Sequence, residues 1–118
     1  MNGLSLFYII KDKQNNILGR INLTDIDYNK KTANLGYRIG SNYIGKGIAY
    51  KTLNLLIKGI DASKIEVLNV KATTSNIGSQ KVMTKNNFIL MFEDKNYFEL
   101  NGKKENFLHY KLHLKSRS

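Results

Sequence analysis

Hydrophobic and polar positions alternate along the first third of the chain and then change period. Residues 5–11 (Ser-Leu-Phe-Tyr-Ile-Ile-Lys) are β-branched and aromatic and predict a strand. A polar turn at 12–16 follows. Residues 17–27 predict a second strand, with Ile17, Gly19, Ile21 and Leu23 on one face. After a polar loop at 25–31, residues 32–39 predict a third strand, with Ala33, Leu35, Tyr37 and Ile39 on one side. Short polar connections between such strands predict an antiparallel meander.

Residues 40–47 break that rhythm. Ala49, Leu53, Leu56, Ile57 and Ile60 then form one helical stripe, with Tyr50, Lys51, Asn54 and Lys58 on the other face. Residues 65–72 contain a buried strand, which a strand–helix–strand crossover would set parallel to the third. A second helix begins at Asn76, with Ile77, Val82 and Met83 facing inward. It ends near Asn87, a residue tolerated in the left-handed conformation at a helix C-terminus. Residues 88–94 predict a strand, Asn101-Gly102 a turn, and residues 106–114 a last strand with Leu108, Tyr110, Leu112 and Leu114 on one face. The predicted fold class is mixed α+β, a twisted and mostly antiparallel sheet in the order β-β-β-α-β-α-β-β.

Composition narrows the chemistry. A chain of 118 residues with 42% apolar residues is expected to form a single domain over 1–118. It holds no cysteine, which excludes disulfides, thiolate zinc sites and cysteine nucleophiles. Two histidines cannot build a three-ligand metal site alone, so no metal is expected. No apolar run approaches the ~20 residues that cross a bilayer, and the start carries no secretory pattern, so the expectation is a cytoplasmic protein without a membrane partner. Nineteen Lys and Arg against nine Asp and Glu give a net charge of +10. That favours anionic partners: phosphorylated cofactors, nucleic acid or an acidic surface. The lysines are scattered and surface aromatics are not interleaved among them, which disfavours nucleic acid.

Two segments carry candidate chemistry. Gly45-Lys46-Gly47-Ile48-Ala49 joins a strand to a helix. Glycines there let the backbone turn tightly and approach a ligand, the helix start offers unpaired N–H groups, and Lys46 adds a cation. A pyrophosphate cradle and an ordinary loop both fit. The segment is neither a P-loop nor a dinucleotide fingerprint. The second segment holds Asn76, Ser79, Val82, Met83, Lys85 and Asn87-Phe88. Together with Gly36-Tyr37 and the glycine loop, it resembles the GNAT family of acetyl-CoA-dependent N-acetyltransferases. The similarity is greatest to the ribosomal-protein N-terminal acetyltransferases and runs from Phe7 to Leu114.

The resemblance implies transfer of an acetyl group from acetyl-CoA to a primary amine, with a protein N-terminus as one such acceptor. It implies that backbone N–H groups from Gly45 through Lys46, Gly47 and Ile48 to Ala49 hold the CoA pyrophosphate. The backbone around Ile39 would pair with the pantetheine arm, Asn76 would hydrogen-bond the cofactor arm, and Ser79 would face the thioester as the catalytic hydroxyl. Four positions depart from the family pattern. Ile44 stands where a Gln or Arg opens the signature, Met83 where a catalytic Tyr is frequent, Asn34 where a carboxylate is frequent, and Asn87 where Gly is usual. The family also begins with a strand and two helices that build its acceptor site. This chain begins at the family's second strand, as an N-terminally truncated member would, which predicts an uncovered edge and self-association as a homodimer or larger oligomer. The alternative is a catalytically weak GNAT-like module that binds CoA, or a protein or RNA partner. Read from the alternation alone, Tyr37 and Tyr110 are core residues, and His109 and His113 are exposed strand histidines on the face with Phe107 and Lys111. Ser79 read the same way is a small residue that allows close helix–sheet approach.

Overall fold

The computed structural model describes residues 4–45, 47–100 and 102–114. Strands β1 (Leu4–Lys11), β2 (Ile17–Asp27) and β3 (Thr32–Ile39) form the antiparallel meander. A 3-10 turn at Ser41–Tyr43 leads to helix α1 (Ile48–Gly59), then β4 (Val67–Thr73), helix α2 (Ile77–Lys85), β5 (Ile89–Leu100) and β6 (Lys103–His113). These make one six-stranded sheet in the spatial order β1-β2-β3-β4-β6-β5. All pairings are antiparallel except β3 with β4. That parallel ladder is short: Thr32 pairs with Val67, Ala33 with Leu68 and Asn34 with Asn69, after which the two strands part.

Both helices cover one face of the sheet. Leu53 of α1 and Met83 of α2 are fully buried, in one core cluster with Ile21, Leu23, Leu68, Val70 and Leu108 of the sheet. Burying an aliphatic side chain of this size stabilises by about 1.5–3 kcal/mol, so this layer contributes heavily to the net stability. The α2 C-terminus is closed by two backbone bonds, Asn87 N–H to Thr84 O (3.0 Å) and Phe88 N–H to Met83 O (3.0 Å). They require a left-handed residue at Asn87, whose φ is 68°.

Several expectations need correction. Ile17 is 62% exposed instead of lying inside with Ile21, because the register shifts between Ile10 and Lys11. A second irregularity, at Asp25 with φ 50°, returns Ile26 to the buried side. Ile77 is 53% exposed: it opens α2, and six residues at 100° each put it far around the helix from buried Met83. Asn54 does not face away with Lys58; its Nδ2 donates to Asn86 Oδ1 at 3.4 Å. The fifth and sixth strands are longer than their alternation suggests, because they extend together as a hairpin past the sheet. Asn101 of the predicted turn lies outside the described residues; Gly102 has φ 77°.

Candidate active site

The connection after β3 is shaped by glycine. Gly40 N–H still reaches Leu18 O (2.8 Å), extending the β2–β3 pairing by one bond before the turn. Gly45 and Gly47 then take φ values of 85° and 76°, and a Cβ added to either would meet nothing within 4 Å. Backbone conformation selects glycine here, and the space above the loop is open. Gly47 is the N-cap of α1, with no side-chain cap and no acidic residue in the first turn. The first N–H groups of α1 are therefore left to solvent or an anion. Lys46 lies outside the described residues.

The second part of the site is the gap opened where β3 leaves β4. Ile39, at the end of β3, is half-buried and packs against the core. Asn76 caps α2, its Oδ1 accepting from Ser79 N–H at 3.0 Å. Gln80 Nε2 donates to Thr73 O and Thr74 O (both 3.1 Å), fixing the strand-to-helix corner. Across the gap, Tyr37 and Ser79 meet through their hydroxyls at 3.0 Å. Burial pushes the Tyr37 phenol above its ordinary value, partly offset by the bond to Ser79. Tyr37 thus combines the predicted core position with a polar tip that the alternation could not reveal. The two helices are tied by buried Asn86, whose Nδ2 donates to Tyr50 O (3.4 Å) and Val82 O (3.2 Å).

On the opposite sheet face the same gap widens into a concavity of about 850 Å³, lined by residues of β2 to β6. Asp25 is the carboxylate among its lining residues, and Asn34 Nδ2 donates to Asp25 Oδ2 at 3.0 Å. A carboxylate therefore stands beside the position where the sequence has Asn34. It comes from an irregularity in β2 that alternation does not predict. His109 is not a free surface histidine: its ring stacks on Phe92 at 4.3 Å, and its Nε2 is buried without a hydrogen-bond partner among the described residues. His113 is exposed as expected.

The sequence matches the acetyltransferase (GNAT) domain over residues 1–89. The chain belongs to the GNAT family. No curated protein matches it by sequence. Among solved structures, this GNAT chain is similar to RimL, a ribosomal-protein alpha-N-acetyltransferase solved with coenzyme A: 25% identity, TM-score 0.84, covering 93% of this chain and 62% of RimL. It is also similar in fold to the spermidine N-acetyltransferase SpeG of Vibrio cholerae, solved with CoA and spermine: 18% identity, TM-score 0.83, covering 93% of this chain and 66% of SpeG. A chimera of Vibrio cholerae SpeG and hSSAT gives 18% identity and TM-score 0.82, covering 93% of this chain and 69% of the chimera. Another SpeG structure, at 18% identity and TM-score 0.83, is dodecameric and matches over 93% of this chain and 65% of SpeG. The GNAT chain thus spans about two thirds of the length of these relatives. Among the described residues, no helix is long and apolar enough to cross a membrane.

Proposed function

We propose that this GNAT chain is an acetyl-CoA-dependent N-acetyltransferase acting on a primary amine, with a protein N-terminus as acceptor and the ribosomal-protein N-terminal acetyltransferases as its nearest subgroup. The observation that carries the reading is the parting of β3 from β4 beside an uncapped helix start. Parted strands leave backbone N–H and C=O groups at Ile39 and its neighbours to pair with an amide-bearing arm. Open space at Gly45 and Gly47 and the first-turn N–H groups of Ile48 and Ala49, which have no side-chain cap among the described residues, suit a pyrophosphate, with Lys46 as counter-ion. Asn76 spends its Oδ1 on the helix cap and keeps Nδ2 to donate to the same arm. The identity to RimL and the family membership support this use of the gap.

In the reaction the amine nitrogen attacks the acetyl carbonyl carbon, a C–N bond forms and the C–S bond breaks. The amine's proton passes to Asp25 or to water. The sulfur departs as a thiolate that the Ser79 hydroxyl stabilises by donating a hydrogen bond, and it takes its proton from water. Asp25 also supplies the negative charge that an incoming ammonium needs in the concavity. The molecule is read as one GNAT domain, shorter than its relatives, acting in the cytoplasm and associating with further copies.

A second reading, a CoA-binding module without turnover, is favoured by Asn34 and by Met83, whose side chain is fully buried. One experiment separates the two. Titration with acetyl-CoA should give binding that is lost in a Gly47→Glu variant whose circular dichroism still shows the parent's fold, the backbone strain at φ 76° being local to the loop. Addition of an amine-bearing peptide should then release thiol. The chain has no cysteine, so all detected thiol is CoA. Binding without release would select the second reading, and no binding would remove both.

A further inference from the structure

Most of the polar contacts around α2 serve its two ends. One does not. Ser79 sits in the first turn of α2 with its backbone N–H held by Asn76 Oδ1. Hydroxyl side chains inside helices commonly bond back to the carbonyl four residues earlier. Thr84 does so in this helix, donating to Gln80 O at 3.0 Å. Ser79 is in the first turn, where the residue four earlier, Ser75, precedes the helix, and its hydroxyl meets Tyr37 OH across the gap at 3.0 Å. Tyr37 cannot easily yield. Its strand position is fixed opposite Ile21 in the β2–β3 ladder, and its ring packs against the core.

We infer that Tyr37 is a positioning residue for Ser79, holding the serine hydroxyl as a hydrogen-bond donor toward the sulfur of a CoA thiol in the gap. This inference rests on the cofactor reading proposed above. A hydroxyl has one proton to give and can accept as well. The geometry allows either hydroxyl to donate; a phenol is the stronger acid of the two, and Tyr37 is therefore assigned as donor, with the Ser79 proton pointing outward. Burial keeps the phenol protonated through neutral and mildly alkaline pH, so the direction of the pair does not change there. A donor fixed before the ligand arrives stabilises a thiolate without reorganisation, and chained hydroxyls strengthen one another. Without the phenol, the Ser79 hydroxyl loses the partner that orients it and is free to rotate. The pairing links β3 to α2 at the point where the two strands have already separated, and neither residue is otherwise engaged through its hydroxyl among the described residues.

The test uses protein loaded with free CoA, and needs no turnover. Iodoacetamide alkylates thiolates, and with no cysteine in the chain the alkylated product is all CoA. The pH profile of alkylation gives the pKa of the bound thiol. It should lie below that of free CoA in the parent. It should rise by about one unit, a tenfold loss of thiolate at a given pH, in both Ser79→Ala and Tyr37→Phe. Ser79→Thr should keep most of the parent's value. In Tyr37→Phe, CoA affinity by calorimetry and the melting curve should stay near the parent's, which a merely structural role for Tyr37 would not allow alongside a shifted pKa. A parent that binds CoA but shows the thiol pKa of free CoA overturns the inference alone. So does a Tyr37→Phe profile equal to the parent's, whatever Ser79→Ala does. A parent that binds no CoA overturns the cofactor reading and this inference together.

Discussion

Gly19 shows how much one missing side chain can decide. It pairs with Ile39 in the β2–β3 ladder, and a Cβ there would collide with the Arg38 carbonyl and crowd Ile39. The strands can approach closely at that point, which keeps Ile39 and the end of β3 in place. Gly19→Ala is therefore expected to destabilise by about 1–3 kcal/mol, read as a lower denaturant midpoint with an unchanged slope. Sequence alone reveals some such residues and hides others. Asn87 is legible, because a helix must end and few residues tolerate its left-handed geometry. Tyr37 and Ser79 are 42 positions apart, and their bond exists through the splay of two strands, which no local pattern encodes. Asp25 is hidden for a related reason: its side chain is aimed by a register irregularity.

Element by element, order and direction were readable and lengths were less so. The three-strand meander and the two helices follow from periodicity, and the single parallel pairing follows from a strand–helix–strand crossover. β5 outran its pattern because it goes on pairing with β6 past the end of β4, out to Leu100 opposite Lys103. The α2 start depends on a strand two elements away. Glu105 of β6 is buried, and Ser75 just before α2 donates its backbone N–H to Glu105 Oε1 at 3.0 Å. The Ser75 side chain and backbone hold the Glu105 carboxyl below its ordinary value. A carboxyl lowered on folding contributes stability that is fully present above its unfolded pKa and lost as pH falls through its folded one. Stability should thus decline on acidification below the usual glutamate range. Glu105→Gln should flatten that decline in urea melts taken at several pH values, and an unchanged acid limb would assign the loss to other groups.

At the scale of the whole molecule, the charge of +10 and the exposed edges matter most. Phe7 and Ile9 on β1 are 68% and 57% exposed, and Ile89 and Phe92 on β5 are 62% and 56% exposed. Natural edges are usually protected by charge, proline or bulges, and β1 carries just one charge, at Lys11. Self-association through β1 predicts a mass above that of one chain in light scattering at tens of micromolar, reduced by Ile9→Lys. A monomer in the parent would exclude it.

The short β3–β4 ladder has a mechanical meaning as well. Three residue pairs join two antiparallel halves, each well stitched internally. The sheet is in effect two plates sharing a narrow weld, and a scissoring about Asn34 and Asn69 is the motion this geometry predicts to be softest. A molecule lying in the opening would act as a strut between the plates. Cofactor, on that view, is part of the scaffold: its arrival would slow amide exchange on both flanks of the opening and raise the melting temperature, and its departure would return the protein to its most compliant form.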